Sequence, residues 1–235
     1  MRRILAATAL VAIGVAPMPA TAQTVPTCFG MDVTILGTEG PDNISGTPGH
    51  DVISVLGADD TVNGTDSADD VKDWICGGTE SDSLGGVDGN EWIDGERGND
   101  SVGGGDGQDR LFGGGGSDTL APGWGSDFVD GGPGADFIQN NRDRSLRWNT
   151  DTYHGGEGGD VVGTAPEGTG SDALYGDAGN DVVDGRDCTV WPDCVEPSST
   201  PDLVDGGPGQ DRCRVDSDDT WVNCELVNGV IVEAP

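Results

Sequence analysis

The stretch GERGNDSVGGGDGQDRLFGGGGSDTLAPGWGSDFVDGGPGADFIQ, residues 95–139, repeats a nine-residue pattern without a gap. Aligned on its aspartates, it reads GERGNDSVG, GGDGQDRLF, GGGGSDTLA, PGWGSDFVD and GGPGADFIQ. Position six is acidic and position eight is apolar in each unit. Glycine and aspartate are both poor formers of helices and strands. A regular period in such residues therefore predicts a repeat architecture.

The pattern extends on both sides of this run. GGTESDSLG and GVDGNEWID fill residues 77–94, three units fill 37–63, and single copies stand at 155–163, 176–184 and 206–214. Four longer units with the same ending occupy 64–76, 140–154, 164–175 and 185–205, with insertions at 64–72, 140–150, 164–171 and 185–201. We number these seventeen units 1 to 17 from residue 37, and together they cover residues 37–214.

The residue type at each position indicates what the turns bind. Glycine at positions one, two and four allows the positive φ angles of tight turns, which expose carbonyl oxygens. The carboxylate at position six adds a charged oxygen beside those carbonyls. Calcium accepts about six to eight such oxygen ligands, whereas zinc and copper prefer histidine or cysteine. The chain has two histidines, His50 and His154, and neither lies near a second soft ligand in sequence.

Positions seven to nine predict a three-residue strand whose middle side chain points away from its neighbours. That middle side chain is apolar throughout, from Ile44 in unit 1 to Cys213 in unit 17, apart from the hydroxyl of Tyr153. One such residue in nine cannot form a core within a unit, so the units must stack on one another. Because this burial is small relative to the cost of ordering the backbone, hydrogen-bond ladders and bound metal must add to it.

The consensus GGxGxDxUx, in which U is apolar, resembles the hemolysin-type calcium-binding repeat of RTX proteins. The resemblance implies an all-β fold, a right-handed parallel β-roll (a β-solenoid) of about nine coils with two nonapeptides per coil. It also implies multiple calcium ions in the turns, bound by position-six carboxylates and loop carbonyls. Carried over by position, the implied metal ligands are Asp42, Asp51, Asp60, Asp82, Asp100, Asp109, Asp118, Asp127, Asp136, Asp160, Asp181 and Asp211. Asp73, Asp151, Asp172 and Asp202 fit less well because their turns are longer, and Glu91 departs from the motif.

The formal net charge of −32 excludes some partners. Nucleic acid and anionic membranes attract surfaces rich in lysine and arginine, so we expect neither nucleic-acid binding nor membrane insertion. Without a period, a chain with this charge, 42 glycines and 13 prolines would be classed as disordered. The period overturns that alternative, and calcium counter-ions would offset the mutual repulsion of the aspartates.

Residues 1–22 are typical of a cleaved signal peptide, with two arginines, an apolar stretch and the ending Ala20-Thr21-Ala22. The apolar stretch is too short for a membrane-spanning helix. We therefore expect a secreted, extracellular protein in which residues 23–36 cap the start of the roll and residues 215–235 cap its end. The sequence has no GxSxG or HExxH motif, and we expect no enzymatic activity.

All four long units have even numbers, so two units per coil would place their insertions on one side of the roll. Position seven on this even side includes Trp74, Trp92 and Phe128, whereas the odd side is mostly small or polar through its first half. An apolar stripe beside loops indicates a binding surface for another surface, a glycan or a second copy of the chain. The alternative, which we favour, is that the loops cover these rings as a satellite core.

Six cysteines follow the signal peptide, and an even number in an exported protein predicts disulfide bonds. Proximity favours the pairs Cys188–Cys194 and Cys213–Cys224, and Cys28–Cys76 would then tie the start of the roll to its fourth unit. The outer pairs would help to cap the ends of a stacked array. A zinc site is the rival interpretation, although no CxxC pair is present.

Two functional hypotheses follow. The first is a stand-alone, secreted, non-enzymatic calcium-binding roll that folds when it meets calcium. The second is an adhesive or recognition protein that uses the even side of the same roll. Both predict one fold, so a partner is needed to distinguish them.

Overall fold

The structure is a computed structural model that describes residues 27–64, 71–139, 150–163, 171–186, 201–215, 219–227 and 230–231. The strands in chain order are β1 (Thr27–Cys28), β2 (Met31–Asp32), β3 (Ile35–Leu36), β4 (Asn43–Ser45), β5 (Val52–Ser54), β6 (Thr61–Asn63), β7 (Trp74–Cys76), β8 (Ser83–Gly89), β9 (Trp92–Asp94), β10 (Ser101–Gly107), β11 (Arg110–Phe112), β12 (Thr119–Trp124), β13 (Phe128–Asp130), β14 (Pro133–Gly134), β15 (Phe137–Ile138), β16 (Thr152–His154), β17 (Glu157–Gly158), β18 (Val161–Val162), β19 (Ala173–Tyr175), β20 (Ala178–Gly179), β21 (Val182–Asp184), β22 (Leu203–Asp205), β23 (Arg212–Arg214), β24 (Thr220–Val222), β25 (Leu226–Val227) and β26 (Val230–Ile231). Regular structure in these ranges is all strand, and they include no apolar helix of membrane-spanning length.

Two long sheets run along the stack. Odd-numbered units supply most of the sheet ordered β26-β25-β23-β21-β18-β15-β12-β10-β8-β6-β4, and even-numbered units supply most of the sheet ordered β24-β22-β19-β16-β13-β11-β9-β7-β5-β3. Within the repeat units, each strand of these sheets pairs in parallel with the strand two units away, so Val102 lies opposite Leu84 and Leu120. Two nonapeptides therefore form one coil, and the predicted parallel β-roll is confirmed.

The core is a column of position-eight side chains between these sheets. From Ile53 to Cys213, the described members of this column are at most 2 % exposed. Ile44 is only half-buried because its strand, β4, forms the edge of its sheet. Each coil adds two apolar side chains, so every coil depends on its neighbours for burial.

Short antiparallel pairings lie at both ends of the roll. β1 pairs with β2, and β25 pairs with β26. Cys28 and Cys76 lie at disulfide distance with their Cα atoms 5.8 Å apart, and Cys213 and Cys224 do so at 5.9 Å. These two predicted pairs are confirmed. Cys188 and Cys194 lie outside the described residues, as do the predicted signal peptide and most of the four insertions.

The aromatic stripe of the even side is partly covered by the N-terminal hairpin. Phe29 packs edge-on against Trp92, with ring centroids 5.6 Å apart. Phe29 and Trp74 also pack against a small buried cluster that includes Cys28 and Cys76. A satellite core is therefore present in the described part of the chain. The N-terminal hairpin covers this satellite core, whereas the sequence pattern predicts that the even-side insertions cover it.

Candidate metal centre

The turns stack closely because glycine occupies positions two and four. Gly132, at position two, has a φ angle of 92°, and Gly116, at position four, has one of 149°. Both values lie in the region that side chains disfavour. A Cβ atom on Gly134 would overlap the carbonyl oxygen of Gly116 in the preceding coil. Carbonyl oxygens of one turn therefore lie directly against the backbone of the next.

The position-six carboxylates form two columns, one beside each long sheet. Along each column, one carboxylate oxygen accepts a hydrogen bond from the backbone N–H of the position-six residue one coil earlier. We call each such step of a column a rung. The Asp100 nitrogen, for example, donates to Asp118 Oδ1 at 2.8 Å. The odd column contains Asp42, Asp60, Asp82, Asp100, Asp118, Asp136, Asp160, Asp181 and Asp211.

The even column includes the aspartates of the longer turns. Its members are Asp51, Asp73, Glu91, Asp109, Asp127, Asp151, Asp172 and Asp202. The Asp151 N–H donates to Asp172 Oδ1 at 2.9 Å, and the Asp172 N–H donates to Asp202 Oδ1 at 2.8 Å. An insertion before position six therefore does not displace the carboxylate from its column.

The second oxygen, Oδ2, is buried without a hydrogen-bond partner in many rungs. The side chains concerned are at most 3 % exposed. These are the Oδ2 atoms of Asp60, Asp82, Asp100, Asp109, Asp118, Asp136, Asp160, Asp181 and Asp211. Leaving a buried polar atom unsatisfied costs about 1–3 kcal/mol, and more for a charged group. A regular series of such atoms indicates a ligand that the polypeptide itself does not supply.

Apart from Asp60, whose unit has Val55 at position one, each of these unpartnered oxygens faces a carbonyl oxygen across a glycine at position one. A Cβ atom on Gly113 would lie 2.5 Å from Asp118 Oδ2 and 2.5 Å from the carbonyl oxygen of Gly131, one coil further on. The same arrangement recurs at Gly131, Gly155 and Gly176. Glycine at position one therefore keeps open a space bounded by a carboxylate of one coil and a carbonyl of the next.

Burial raises the pKa of these carboxyl groups. It raises the pKa of Asp82 and Asp136 to about 7 and that of Asp181 to about 6. Hydrogen bonds from the backbone of the neighbouring coil oppose this rise in pKa, and aspartates one coil away add to it. The ionised column is therefore unfavourable at neutral pH unless cations compensate it.

The first two units satisfy their carboxylates internally. Asp42 Oδ2 accepts a hydrogen bond from the Thr38 N–H at 2.6 Å and a second from the Thr38 hydroxyl at 3.1 Å. Asp51 Oδ2 accepts the equivalent pair of hydrogen bonds from Thr47. In both units threonine replaces the glycine of position two, so its donors compete with a metal for this oxygen.

Units 6 and 12 modify the rung in other ways. Glu91 is fully buried, and a Cβ atom on Gly86 would lie 2.8 Å from its Oε2 atom. The longer side chain therefore keeps its place in the column and still borders the glycine space. In unit 12 the core residue Tyr153 donates its hydroxyl to Asp151 Oδ2 at 2.9 Å. Its Oδ2 atom therefore has a protein donor, which the unpartnered Oδ2 atoms named above lack.

The donors in these spaces fit calcium. They are carboxylate and carbonyl oxygens, the hard ligands that calcium takes in flexible geometry. No group of three or more His, Cys, Asp or Glu side chains that could hold a metal occurs in the described ranges. Backbone carbonyls must therefore supply much of any coordination shell.

The glycine-lined spaces and stacked carboxylates define a calcium-binding β-solenoid. A family model, the RTX calcium-binding nonapeptide repeat, matches in four copies at residues 36–71, 85–120, 123–139 and 168–187. The repeat region of this chain therefore belongs to the RTX calcium-binding nonapeptide-repeat family, and its several repeats bind multiple calcium ions. No curated protein matches the sequence.

The nonapeptide motif does not predict two further carboxylates that join the columns after the last repeat. The Asp202 N–H donates to Asp219 Oδ1 at 3.1 Å, and the Asp211 N–H donates to Glu225 Oε2. Both acceptors lie after residue 214, where the nine-residue spacing has ended. The threonines of units 1 and 2, by contrast, can be read directly from position two of the pattern.

A separate cleft lies on the even side of the roll. It has a volume of about 470 Å³, and its lining includes Lys72, Asn90, Trp92, Arg110 and Phe128. The Lys72 ammonium lies 4.9 Å from the Trp92 ring centroid, and the Arg110 guanidinium lies 5.0 Å from it. The lining also includes the buried carboxylates of Asp109 and Asp127, so the cleft combines half-buried aromatic rings, amides, two cations and two carboxylates.

Proposed function

We propose that this protein is an exported, non-enzymatic calcium-binding β-roll whose folding is coupled to calcium. The observation that carries the proposal is the column of buried, unpartnered Oδ2 atoms facing carbonyl oxygens across glycine. Calcium between the rungs would join successive coils, so its binding free energy would contribute to folding. Without the ion, like charges would remain close together in a buried space and oppose stacking.

The position-six aspartates are the proposed ligands. The N–H of the preceding coil fixes Oδ1, which leaves Oδ2 oriented toward the glycine space, as in the Asp100–Asp118 pair. The aspartates named above for an unpartnered Oδ2 atom have the strongest support. Thr38 and Thr47 compete with calcium for Asp42 and Asp51. Asp127 occupies an equivalent rung, with the Asp109 N–H donating to its Oδ1 atom at 2.9 Å.

A calcium titration of chelator-treated protein without residues 1–22 tests this function. We expect far-UV circular dichroism to change from coil to β-structure at about millimolar calcium or below, and magnesium at the same concentration to have no such effect. Calorimetry on the same samples should report several ions per chain. Protein that is fully folded without metal and binds no calcium would contradict the proposal.

The proposed export rests on residues 1–22 and on the two disulfide-distance pairs, which suit an oxidising environment. Mass spectrometry of protein from culture medium should find Gln23 as the first residue. An uncleaved chain found only inside cells would contradict export.

The contacts of the two histidines support a non-enzymatic role. His50 Nδ1 lies 2.9 Å from the Lys72 carbonyl oxygen, and His154 Nδ1 lies 2.9 Å from Asp177 Oδ2. The His154 ring also stacks on Tyr175 at 4.5 Å. These contacts account for both rings as parts of the stacked surface.

The even-side cleft supports a second candidate function, recognition of an acidic oligosaccharide. Trp92 and Phe128 offer ring faces, while Lys72 and Arg110 offer charge for carboxylate or sulfate groups. Calcium-loaded protein should bind immobilised acidic polysaccharides, and Trp92→Ala should lose that retention. Trp124→Ala, which changes an exposed tryptophan outside the cleft lining, is the matched control. Equal retention of both variants would exclude the cleft.

A further inference from the structure

We propose that the C-terminal segment, residues 219–227, completes one more calcium site beyond the last repeat unit. The proposal rests on the calcium-binding function above and extends it to residues outside the motif. The segment contains no GGxGxD sequence, and the family model does not match it. The site is the space between unit 17 and this segment, bounded by Asp211, Gly206 and Asn223.

The backbone of the segment follows the path of another coil. β24 pairs in parallel with β22, and β25 pairs in parallel with β23. The Gly206 N–H donates to the Val222 carbonyl at 3.1 Å, as the Gly176 N–H donates to the Asp205 carbonyl at 2.8 Å one coil earlier. Residues 219–227 thus occupy the place of the next two units.

Glu225 takes the role of the next position-six aspartate in the odd column. Its Oε2 atom accepts the Asp211 N–H. In the preceding rung, Asp211 Oδ1 accepts the Asp181 N–H at 2.9 Å. Asp211 is 1 % exposed, and its Oδ2 atom has no hydrogen-bond partner. The last repeat therefore has the same buried, unsatisfied oxygen as the central units.

Asn223 supplies the carbonyl that a glycine supplies elsewhere. At Gly176, a Cβ atom would lie 2.5 Å from the Gly206 carbonyl oxygen and 2.8 Å from Asp181 Oδ2. At Gly206, the Asn223 carbonyl oxygen takes the first position, and Asp211 Oδ2 lies 3.1 Å away. A carboxylate and a carbonyl therefore face each other across this glycine too.

The local conformation holds that carbonyl in place. Asn223 has a φ angle of 53°, which asparagine tolerates better than most residues. Its side-chain amide donates to Asp205 Oδ1 at 2.8 Å. The neighbouring Cys224 pairs with Cys213 of unit 17. An ion in this space would therefore join the disulfide-held cap to the last repeat.

Two variants of Asn223 separate the carbonyl position from the side chain. Both Asn223→Gly and Asn223→Val remove the hydrogen bond that the Asn223 side-chain amide donates to Asp205. Glycine keeps the positive φ angle, whereas valine disfavours it and should displace the carbonyl. We expect calorimetry to report one calcium ion fewer for Asn223→Val than for wild type, and the wild-type number for Asn223→Gly.

A third variant fills the space while leaving the cap sequence intact. Gly206→Ala places a methyl group between Asn223 and Asp211 and should also lose one ion. Gly40→Ala is its control, because a Cβ atom there would lie 3.9 Å from its nearest neighbour, Thr38 Oγ1. If Asn223→Val fails to fold, Gly206→Ala decides the question. Wild-type stoichiometry in Gly206→Ala would overturn the terminal site alone, whereas an absence of calcium binding in the wild type would overturn the proposed function.

Discussion

The central run, units 5 to 11, has the same fold as units 1 and 2. The two regions differ in the hydrogen bonding of the second oxygen of their position-six carboxylates. In the first two units, Thr38 and Thr47 donate to the second oxygen of Asp42 and Asp51. In the central run, the equivalent oxygen of residues such as Asp118 is buried without a partner. The same columns therefore contain rungs whose second oxygen has a donor in the polypeptide and rungs whose second oxygen has none.

The backbone at position two accounts for this difference. From unit 3 onward, the described residues at this position have positive φ angles, for example 76° at Leu56 and 94° at Gly114. Thr38 and Thr47 do not, and a β-branched side chain disfavours that region, although Val87 of unit 6 adopts it. Their N–H groups can then donate to the carboxylate. The backbone conformation at position two thus accompanies the difference between carboxylates with and without an internal donor to their second oxygen.

The largest expected effect is the response of the metal-free central run to pH. Burial raises the folded-state pKa of Asp100 to about 6 and that of Asp82 and Asp136 to about 7, whereas an unfolded aspartate titrates near about 4. A carboxyl whose pKa rises on folding stabilises the fold below its unfolded pKa, and this contribution is lost as pH rises through the folded pKa. Metal-free protein should therefore be most folded near pH 4 and lose β-structure between about pH 4 and 7.

Circular dichroism from pH 4 to 8, with and without calcium, measures this loss. Hydrogen exchange at pH 7 should then show that calcium removal deprotects residues 77–139 more than residues 37–54. The second region has internal donors and is held beside the Cys28–Cys76 pair. Metal-free β-structure that increases with pH, or equal deprotection of both regions, would contradict the comparison.

Asp118→Asn should have opposite effects with and without calcium. Loss of a ligand charge should destabilise the calcium-loaded roll by about 3–5 kcal/mol, the cost of removing one partner of a buried ion pair. In metal-free protein, one carboxyl fewer must ionise, so the pH midpoint of unfolding should move upward. Urea unfolding and the pH titration measure the two effects, with Asp32→Asn in the exposed part of the N-terminal hairpin as control. Destabilisation under both conditions would indicate a purely structural role.

Thr47→Gly should convert a self-sufficient rung into a metal-dependent one. The metal-free protein should lose about 1–3 kcal/mol at pH 5, because Asp51 Oδ2 loses its donors. The calcium-loaded protein should bind one additional ion at neutral pH. Thr79→Gly changes an exposed threonine at position three and serves as the control. Unchanged stoichiometry would show that threonine alone does not exclude the metal.

The period predicts those parts of the structure that repeat. The buried position-eight column follows from the nine-residue spacing, whereas two units per coil and carboxylates stacked in the turns are what the resemblance to the RTX repeat implies. Proximity predicts the Cys213–Cys224 pair, and Cys28–Cys76 follows once the nearby cysteines are paired. The departures depend on contacts that have no period. Phe29 packs against Trp92, which lies 63 residues later in the sequence. Tyr153 donates its hydroxyl to Asp151 of the same unit. Glu225 takes the place of a position-six aspartate in a segment that lacks the nonapeptide motif.

The smallest effect concerns unit 6, which combines the central backbone with a residue unsuited to it. Val87 occupies position two with a φ angle of 104° and is 44 % exposed. This conformation is strained for a β-branched residue by about 1–3 kcal/mol, while glycine would add about 0.5–1 kcal/mol of unfolded-state entropy. Val87→Gly should therefore stabilise the calcium-loaded roll by about 1 kcal/mol in urea unfolding. Thr119→Gly, at an exposed strand position without positive φ, should instead destabilise it by about 0.5–1 kcal/mol. If both variants lose stability equally, a positive φ angle at position two is not what separates the central run from units 1 and 2.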